Sequence, residues 1–160
     1  MKTESKNNSW VTRKLSKHDK IPYDLLLLAD ETVEAIDKYI FDSDLYIIEQ
    51  KDLVIAIYVL YPLNKNEIEI KNIAVNETFQ GQGIGKFLLQ DAEIKAKEKM
   101  YKTLLIGTPD TAFKQLQLYQ KAGFESFDIK KDFFIDNYSE PIIENGIQLK
   151  DMVMLRKIIK

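Results

Sequence analysis

Residues 67–90 read EIEIKNIAVNETFQGQGIGKFLLQ, and the fold turns on this stretch. Glu67–Val75 alternates polar and apolar until its last three residues, Ile73-Ala74-Val75. It reads as a strand that becomes buried on both faces toward its C-terminal end. Gln80-Gly81-Gln82-Gly83-Ile84-Gly85 then interrupts the pattern. Beyond it Ile84, Leu88, Leu89, Ala92 and Ala96 recur at helical spacing, and Asp91/Lys95 and Glu93/Lys97 stand four apart in the favourable order. A helix is expected over 84–99. A strand, a glycine turn and a helix start make an anion site, because the first N–H groups of a helix are unpaired and carry the positive end of its dipole.

The spacing restricts which anion. A nucleotide-hydrolysing GxxxxGK[ST] loop ending at Gly85-Lys86 would need glycine at Gln80 and a hydroxyl at Phe87, so it fails. A dinucleotide GxGxxG begun at Gly81 or Gly83 fails because Lys86 or Leu88 stands at the third glycine. What fits is Gln-x-x-Gly-x-Gly on Gln80, Gly83 and Gly85.

Outward from this stretch, Trp10–Leu15 suggests a first strand, and 21–41 is mostly helical, in two pieces. Leu45–Glu49 and Leu53–Tyr61 form a hairpin over Gln50-Lys51-Asp52. Thr103–Gly107 is a short buried strand. Thr108-Pro109-Asp110-Thr111 offers helix-capping side chains, and the helix that follows ends at Gly123. Phe124–Ile129 and Leu149–Leu155 are the last two strands, with a long aromatic segment at 131–146 between them. Residues 1–9 are polar and expected to fray.

Composition narrows the function further. In 160 residues, 23 Lys+Arg oppose 25 Asp+Glu, for a net charge of −2. That length suits one domain, 1–160, and the charge argues against a general nucleic-acid binder. There is no cysteine, hence no disulfide, thiolate nucleophile or cysteine-ligated metal; a single histidine, His18, is read as a surface residue, so no metal site is expected. The longest apolar run is Leu53–Tyr61, too short to span a membrane. No secretory pattern follows Met1, and a cytoplasmic location is expected.

With NIAV at 72–75 upstream and LYQKAGF at 118–124 downstream, the loop at 80–86 resembles that of the GCN5-related N-acetyltransferase (GNAT) superfamily. The resemblance covers the whole strand–helix order and is sharpest over 67–127. It implies an α/β fold: a mixed, mostly antiparallel sheet of six or seven strands flanked by about four helices. Strands 67–75 and 103–107 would be parallel central neighbours that splay into a V. It implies acetyl-CoA as cosubstrate, held by Gln80, Gly81, Gln82, Gly83, Ile84, Gly85 and Lys86 at the pyrophosphate and by the backbone of Ile73, Ala74 and Val75 at the pantetheine arm. In many members an asparagine stands where Ala112 stands here, so Thr108 or Thr111 would have to supply that contact. Met100 occupies a helix end where glycine is common.

Acetyl transfer to an amine needs a proton removed from the ammonium, a stabilised oxyanion and a protonated leaving thiolate. The resemblance implies Tyr119 as the acid, although Ala112, Leu116 and Tyr119 also form a packing stripe. It implies Glu69 as the base, with Glu67 acting through water, or water alone, as alternatives. The carbonyl oxygen would meet an N–H near Val75. For the acceptor, the segment 132–149 carries Asp132, Asp136, Glu140 and Glu144 with Phe133, Phe134 and Tyr138. That suggests an acidic, aromatic wall, with Phe133, Phe134, Asp136 and Tyr138 as substrate contacts for a small cationic amine. A protein or peptide N-terminus, and a CoA-binding module without turnover, are the alternatives. Neither nucleic acid nor membrane is an expected partner, and a homodimer is left open.

Overall fold

The computed structural model describes residues 10–160; the expected polar tail at 1–9 lies outside the described residues. In chain order the strands are β1 (Arg13–Lys14), β2 (Asp44–Gln50), β3 (Leu53–Pro62), β4 (Glu67–Val75), β5 (Thr103–Pro109), β6 (Glu125–Lys130), β7 (Ile143–Glu144), β8 (Ile147–Gln148) and β9 (Met152–Ile158). The helices are α1 (Tyr23–Leu26), α2 (Val33–Asp37), α3 (Ile84–Glu98), α4 (Phe113–Lys121) and α5 (Phe133–Asp136). Seven strands form one sheet in the order β1-β2-β3-β4-β5-β9-β6, and β7-β8 is a separate hairpin. Among the described residues only β4 and β5 pair in parallel. Their crossover is α3, as a parallel pair requires.

The β4–β5 pairing runs only from Glu67↔Thr103 to Ile70↔Ile106. Beyond it β4 stays with β3 as far as Ala56↔Val75, while β5 stays with β9 as far as Pro109↔Met152. The two strands therefore part, as expected, and their facing backbone edges lose their ladder partners.

A bulge decides which side chains face the gap. Val59 pairs Asn72 and Leu60 pairs Ile70, leaving Lys71 as the extra residue. One extra residue shifts the alternation by one. Ile68 and Ile70 before it, and Ile73 and Val75 after it, pack on the α3 side. Ala74 belongs to the opposite core, beneath α1 and α2.

The apolar stripe of α3 is wholly buried: Ile84, Leu88, Leu89, Ala92 and Ala96. Each leucine or isoleucine so buried contributes about 1.5–3 kcal/mol. Asp91 is the polar tie beneath α3, accepting from Tyr58 Oη at 2.7 Å and Thr12 Oγ1 at 2.8 Å. Both expected ion pairs form, Lys95–Asp91 at 3.5 Å and Lys97–Glu93 at 3.3 Å.

Several expectations change. The first strand shrinks to Arg13–Lys14, and the helical region 21–41 to two single turns followed by a 3-10 turn at Ile40–Asp42. Residue N-capping α4 is Ala112, with no side-chain cap, so the Thr/Asp cluster does not cap it. Five helices are present among the described residues where about four were expected, so the expected architecture holds, the fifth being α5 inside the aromatic segment. Beside it, Asn145 and Gly146 with φ of +51° and +78° close the β7–β8 hairpin, the Asn-Gly turn that such backbones favour. Leu149 precedes β9 and packs with Phe134 and Ile142. Met100, with φ +73°, takes the left-handed position at the end of α3.

Candidate active site

The parted strands open a cleft of about 1,140 Å³ that runs from the glycine loop, past β4 and β5, to the α1–α2 connection and the α5–β8 segment.

At one end stands the N-terminus of α3. Gly83 is its N-cap at φ +86°, no side chain caps it, and no acid occupies the first turn. A side chain at Gly81 or Gly83 would meet nothing within 4 Å, so the space over these amides is open. Gly81, Gly83, Ile84, Gly85 and Lys86 line the cleft; Gln82 does not. The arrangement fits a pyrophosphate: free helix-end N–H groups, a lysine and room for close approach. Gln80 lines the cleft too, but its Nε2 donates to the Val75 carbonyl at 3.0 Å. Its side chain ties the loop to the end of β4. Ile73–Val75 border the gap where β5 has left, which leaves main-chain groups for an amide-bearing arm. Thr108, Thr111 and Ala112 lie across from them.

In the middle are the two residues expected to do the chemistry. Tyr119 on α4 is buried, packs against Phe124 at 6.3 Å and borders the cleft. Burial alone pushes its phenol up to about 12, so it remains a neutral donor throughout the physiological range. Glu69 on β4 is also buried, at 5% exposure, and borders the same cleft. Its Oε1 lies 3.5 Å from Lys71 Nζ. Glu67 is not with them. It accepts from Asn64 Nδ2 at 2.9 Å and lines a separate depression with Lys102 and Lys160 at the other end of β4.

The far end differs most from expectation. Phe133, Phe134 and Tyr138 line the cleft, whereas Asp136 and Glu140 are exposed outside it. Asp136 ends the single turn of α5 and faces away. Of the four acids in that segment only Glu144 borders the cleft; Asp132 instead spends its backbone N–H on Asp151 Oδ1 at 2.9 Å. The other acids come from the α1–α2 connection. Asp30 accepts from Tyr138 Oη at 2.6 Å and from Tyr39 Oη at 3.0 Å. Burial first, then the Glu144 carboxylate, raises the Glu31 carboxyl above its ordinary range. Asn72 Nδ2 donates to the Leu26 carbonyl at 3.0 Å and to Tyr39 Oη at 3.1 Å. Burial drives the Tyr39 and Tyr138 phenols upward, and Asp30 adds to the shift in both. Sequence reasoning missed Asp30, Glu31, Tyr39, Lys71 and Asn72. A lysine and an asparagine within an otherwise apolar strand end were the available signal. His18 is exposed, and no cluster of metal-ligating side chains occurs among the described residues.

Comparison with known proteins agrees with this geometry. A family model described as "Acetyltransferase (GNAT) domain" matches residues 41–126. The chain is 50% identical, with a TM-score of 0.91, to a GNAT family acetyltransferase from Elizabethkingia anophelis with acetyl-CoA bound, over 94% of this chain and 99% of that one. It is 39% identical, with a TM-score of 0.86, to a Bacillus subtilis acetyltransferase in complex with CoA, over 95% and 100% of the two chains. A Bacillus subtilis (strain 168) relative called "Uncharacterized N-acetyltransferase YvbK" is 45% identical over 83% of this chain and 86% of its own length. No helix among the described residues is long and apolar enough to cross a membrane. With the splayed parallel strands, the open glycine loop and these matches together, the chain belongs to the GNAT acetyltransferase family.

Proposed function

We propose that this enzyme forms a single catalytic domain that transfers the acetyl group of acetyl-CoA to the primary amine of a small acceptor, by direct attack within a ternary complex. The observation that carries the proposal is the common cleft: a buried carboxylate, Glu69, and a buried neutral phenol, Tyr119, border one gap between β4 and β5 whose end is the open anion loop. Acetyl-CoA supplies the activated thioester carbonyl.

The residues divide the remaining work. Helix-end N–H groups at 83–86 and the Lys86 ammonium hold the pyrophosphate, and the free edge at Ile73–Val75 holds the pantetheine amides. Glu69 accepts the proton that the incoming ammonium must lose. Tyr119 offers its O–H to the departing sulfur. With the phenol raised to about 12 and a thiol titrating near 8.5, full proton transfer from Tyr119 is uphill. Its contribution is a hydrogen bond to the developing thiolate in a water-poor site. Phe133, Phe134 and Tyr138 form the aromatic side of the acceptor end, and Glu31 and Glu144 give its mouth negative charge, which favours an amine arriving as its ammonium.

The test is acetyl-CoA-dependent thiol release across small amines, polyamines, aminoglycosides and peptides. Turnover on a small amine that falls with Glu69→Gln is expected. Turnover confined to peptide N-termini would refute the small-acceptor reading.

A further inference from the structure

The acceptor end holds a cation that the proposed chemistry leaves unused. Lys71 is the bulge residue of β4; it borders the cleft, with 28% of its side chain accessible. Its ammonium lies 5.5 Å from the ring centroid of Tyr61 and 6.0 Å from that of Tyr39, within the range of a cation–π contact. The Tyr39 ring is itself fixed, because its hydroxyl bonds both Asp30 and Asn72. The charged group nearest to Lys71 is Glu69, at 3.5 Å. Lys71 Nζ forms no hydrogen bond among the described residues beyond this long ion pair, so it keeps donors available to a ligand in the cleft. Well-made charge-assisted bonds are shorter, about 2.7–2.9 Å.

We propose that the acceptor is a zwitterion, an amino-carboxylate whose carboxylate binds Lys71 while its ammonium binds Glu69. This rests on the acetyltransferase reading above and adds the substrate class. The geometry argues for it through charge. A plain monoamine reaching Glu69 as its ammonium would stand beside the Lys71 ammonium, two like charges in a partly desolvated gap. An amino-carboxylate replaces one long Lys71–Glu69 contact with two short ones and adds no net charge to the gap. The bulge makes this possible. It sets Lys71 beside Glu69 where β4 leaves β5, so that an acceptor joining both stands in the cleft that Tyr119 also borders. The amide of the same amino acid, a decarboxylated amine and an internal peptide amino group each lack the carboxylate.

The experiment compares matched sets, each an amino acid, its amide and its decarboxylated amine, by thiol release on wild type, Lys71→Met and Lys71→Arg. Calorimetry of the same compounds with the CoA-bound protein runs in parallel. Expected is at least a 10-fold preference in kcat/KM for the amino acid. Lys71→Met should remove it by raising KM for the amino acid alone, roughly 10- to 100-fold. Lys71→Arg should restore part of it, and KM for acetyl-CoA should not move. Amides or plain amines used as well as amino acids by wild type would overturn the proposal while leaving acetyl transfer intact. A uniform fall in kcat on every acceptor in Lys71→Met, with a shifted acid limb of the pH profile, would also overturn it, since Lys71 would then act only on Glu69. If no compound turns over, amino-acid binding that is lost in Lys71→Met retains the zwitterion site and removes the acetyl-transfer reading. Absence of amino-acid binding refutes the site.

Discussion

Replacing Gly83 by aspartate and by asparagine isolates the phosphate-binding role of the loop in one atom's difference. The two side chains have nearly the same shape, and both tolerate the left-handed backbone better than other residues do. At φ +86°, with nothing within 4 Å of the added Cβ, neither meets a steric obstacle. The cost is the backbone conformation, at most about 1–2 kcal/mol, and a side-chain oxygen at the N-cap of α3 offsets part of it. Against a stability of about 5–15 kcal/mol both variants fold, with melting points a few degrees below wild type. Their charges separate them. A carboxylate about 5 Å from a pyrophosphate carrying two charges costs about 2 kcal/mol even at the dielectric constant of water, and about four times that at an effective value of 20. Gly83→Asp should therefore bind CoA at least ~15-fold more weakly than Gly83→Asn. Titration calorimetry in low salt measures both, and the gap should narrow as ionic strength rises. Equal affinities in two folded variants would refute the assignment of the pyrophosphate to this loop.

Tyr119→Phe should lower kcat roughly 10²-fold or more while leaving CoA affinity nearly unchanged, read from steady-state kinetics and calorimetry. Met100→Gly should raise stability by about 0.5–1 kcal/mol in denaturant titration, because φ +73° at an 80%-exposed methionine is strain that glycine lacks. Glu31→Gln should raise the melting temperature near pH 7. Burial and Glu144 lift the Glu31 carboxyl above 4.5 in the folded state, so its ionised form costs stability at neutral pH; that cost is relieved as pH falls through the raised value, and the advantage of the variant should vanish below about 4.5. Asp136→Asn should leave every acceptor KM unchanged, since Asp136 lies outside the cleft.

The parts of the molecule visible in the sequence are those set by local chemistry. The stripe of α3 obeys a 3.6-residue period because one face meets the sheet, and all five stripe residues are buried. Lys51 and Asp52, at φ +51° and +67°, form the tight turn that the β2–β3 hairpin needed. The splay followed from the family resemblance, since nothing in the residues of β4 and β5 alone says where their ladder stops. The far end of the cleft departs from the expected lining for a different reason. Four acids in one segment looked like one wall, but a single turn of helix at Phe133–Asp136 turns Asp136 outward, and the negative charge at the mouth pairs Glu144 with Glu31 from a segment more than a hundred residues away. Periodicity carries no information about such a meeting. The Asn145-Gly146 turn was a legible local signal, and it would have placed the hairpin that brings Glu144 there.

The bulge at Lys71 shows how one residue can govern a site without taking part in its chemistry. In a regular β4, Glu69, Lys71, Ile73 and Val75 would share a face, and Ile70, Asn72 and Ala74 the other. Asn72 would then point into the apolar core beneath α3, where neither of its present amide partners, Leu26 and Tyr39, lies. Ile73 and Val75 would turn away from the α3-side cluster against which they now pack. A buried amide without partners costs about 1–3 kcal/mol, and two displaced apolar side chains cost a similar amount or more. The pattern of the strand is thus satisfied only with the extra residue bulged out. That residue is the one left free of both ladders, which is why a lysine can stand there and turn its charge into the cleft. Deleting Lys71 should therefore be tolerated about as well as Lys71→Ala in denaturant titration: Ile70 and Asn72 would follow one another opposite Leu60 and Val59, and every remaining side chain of β4 would keep its present face. A loss of several kcal/mol on deletion alone would mean that the bulge is required by the neighbouring strands rather than by the faces of β4.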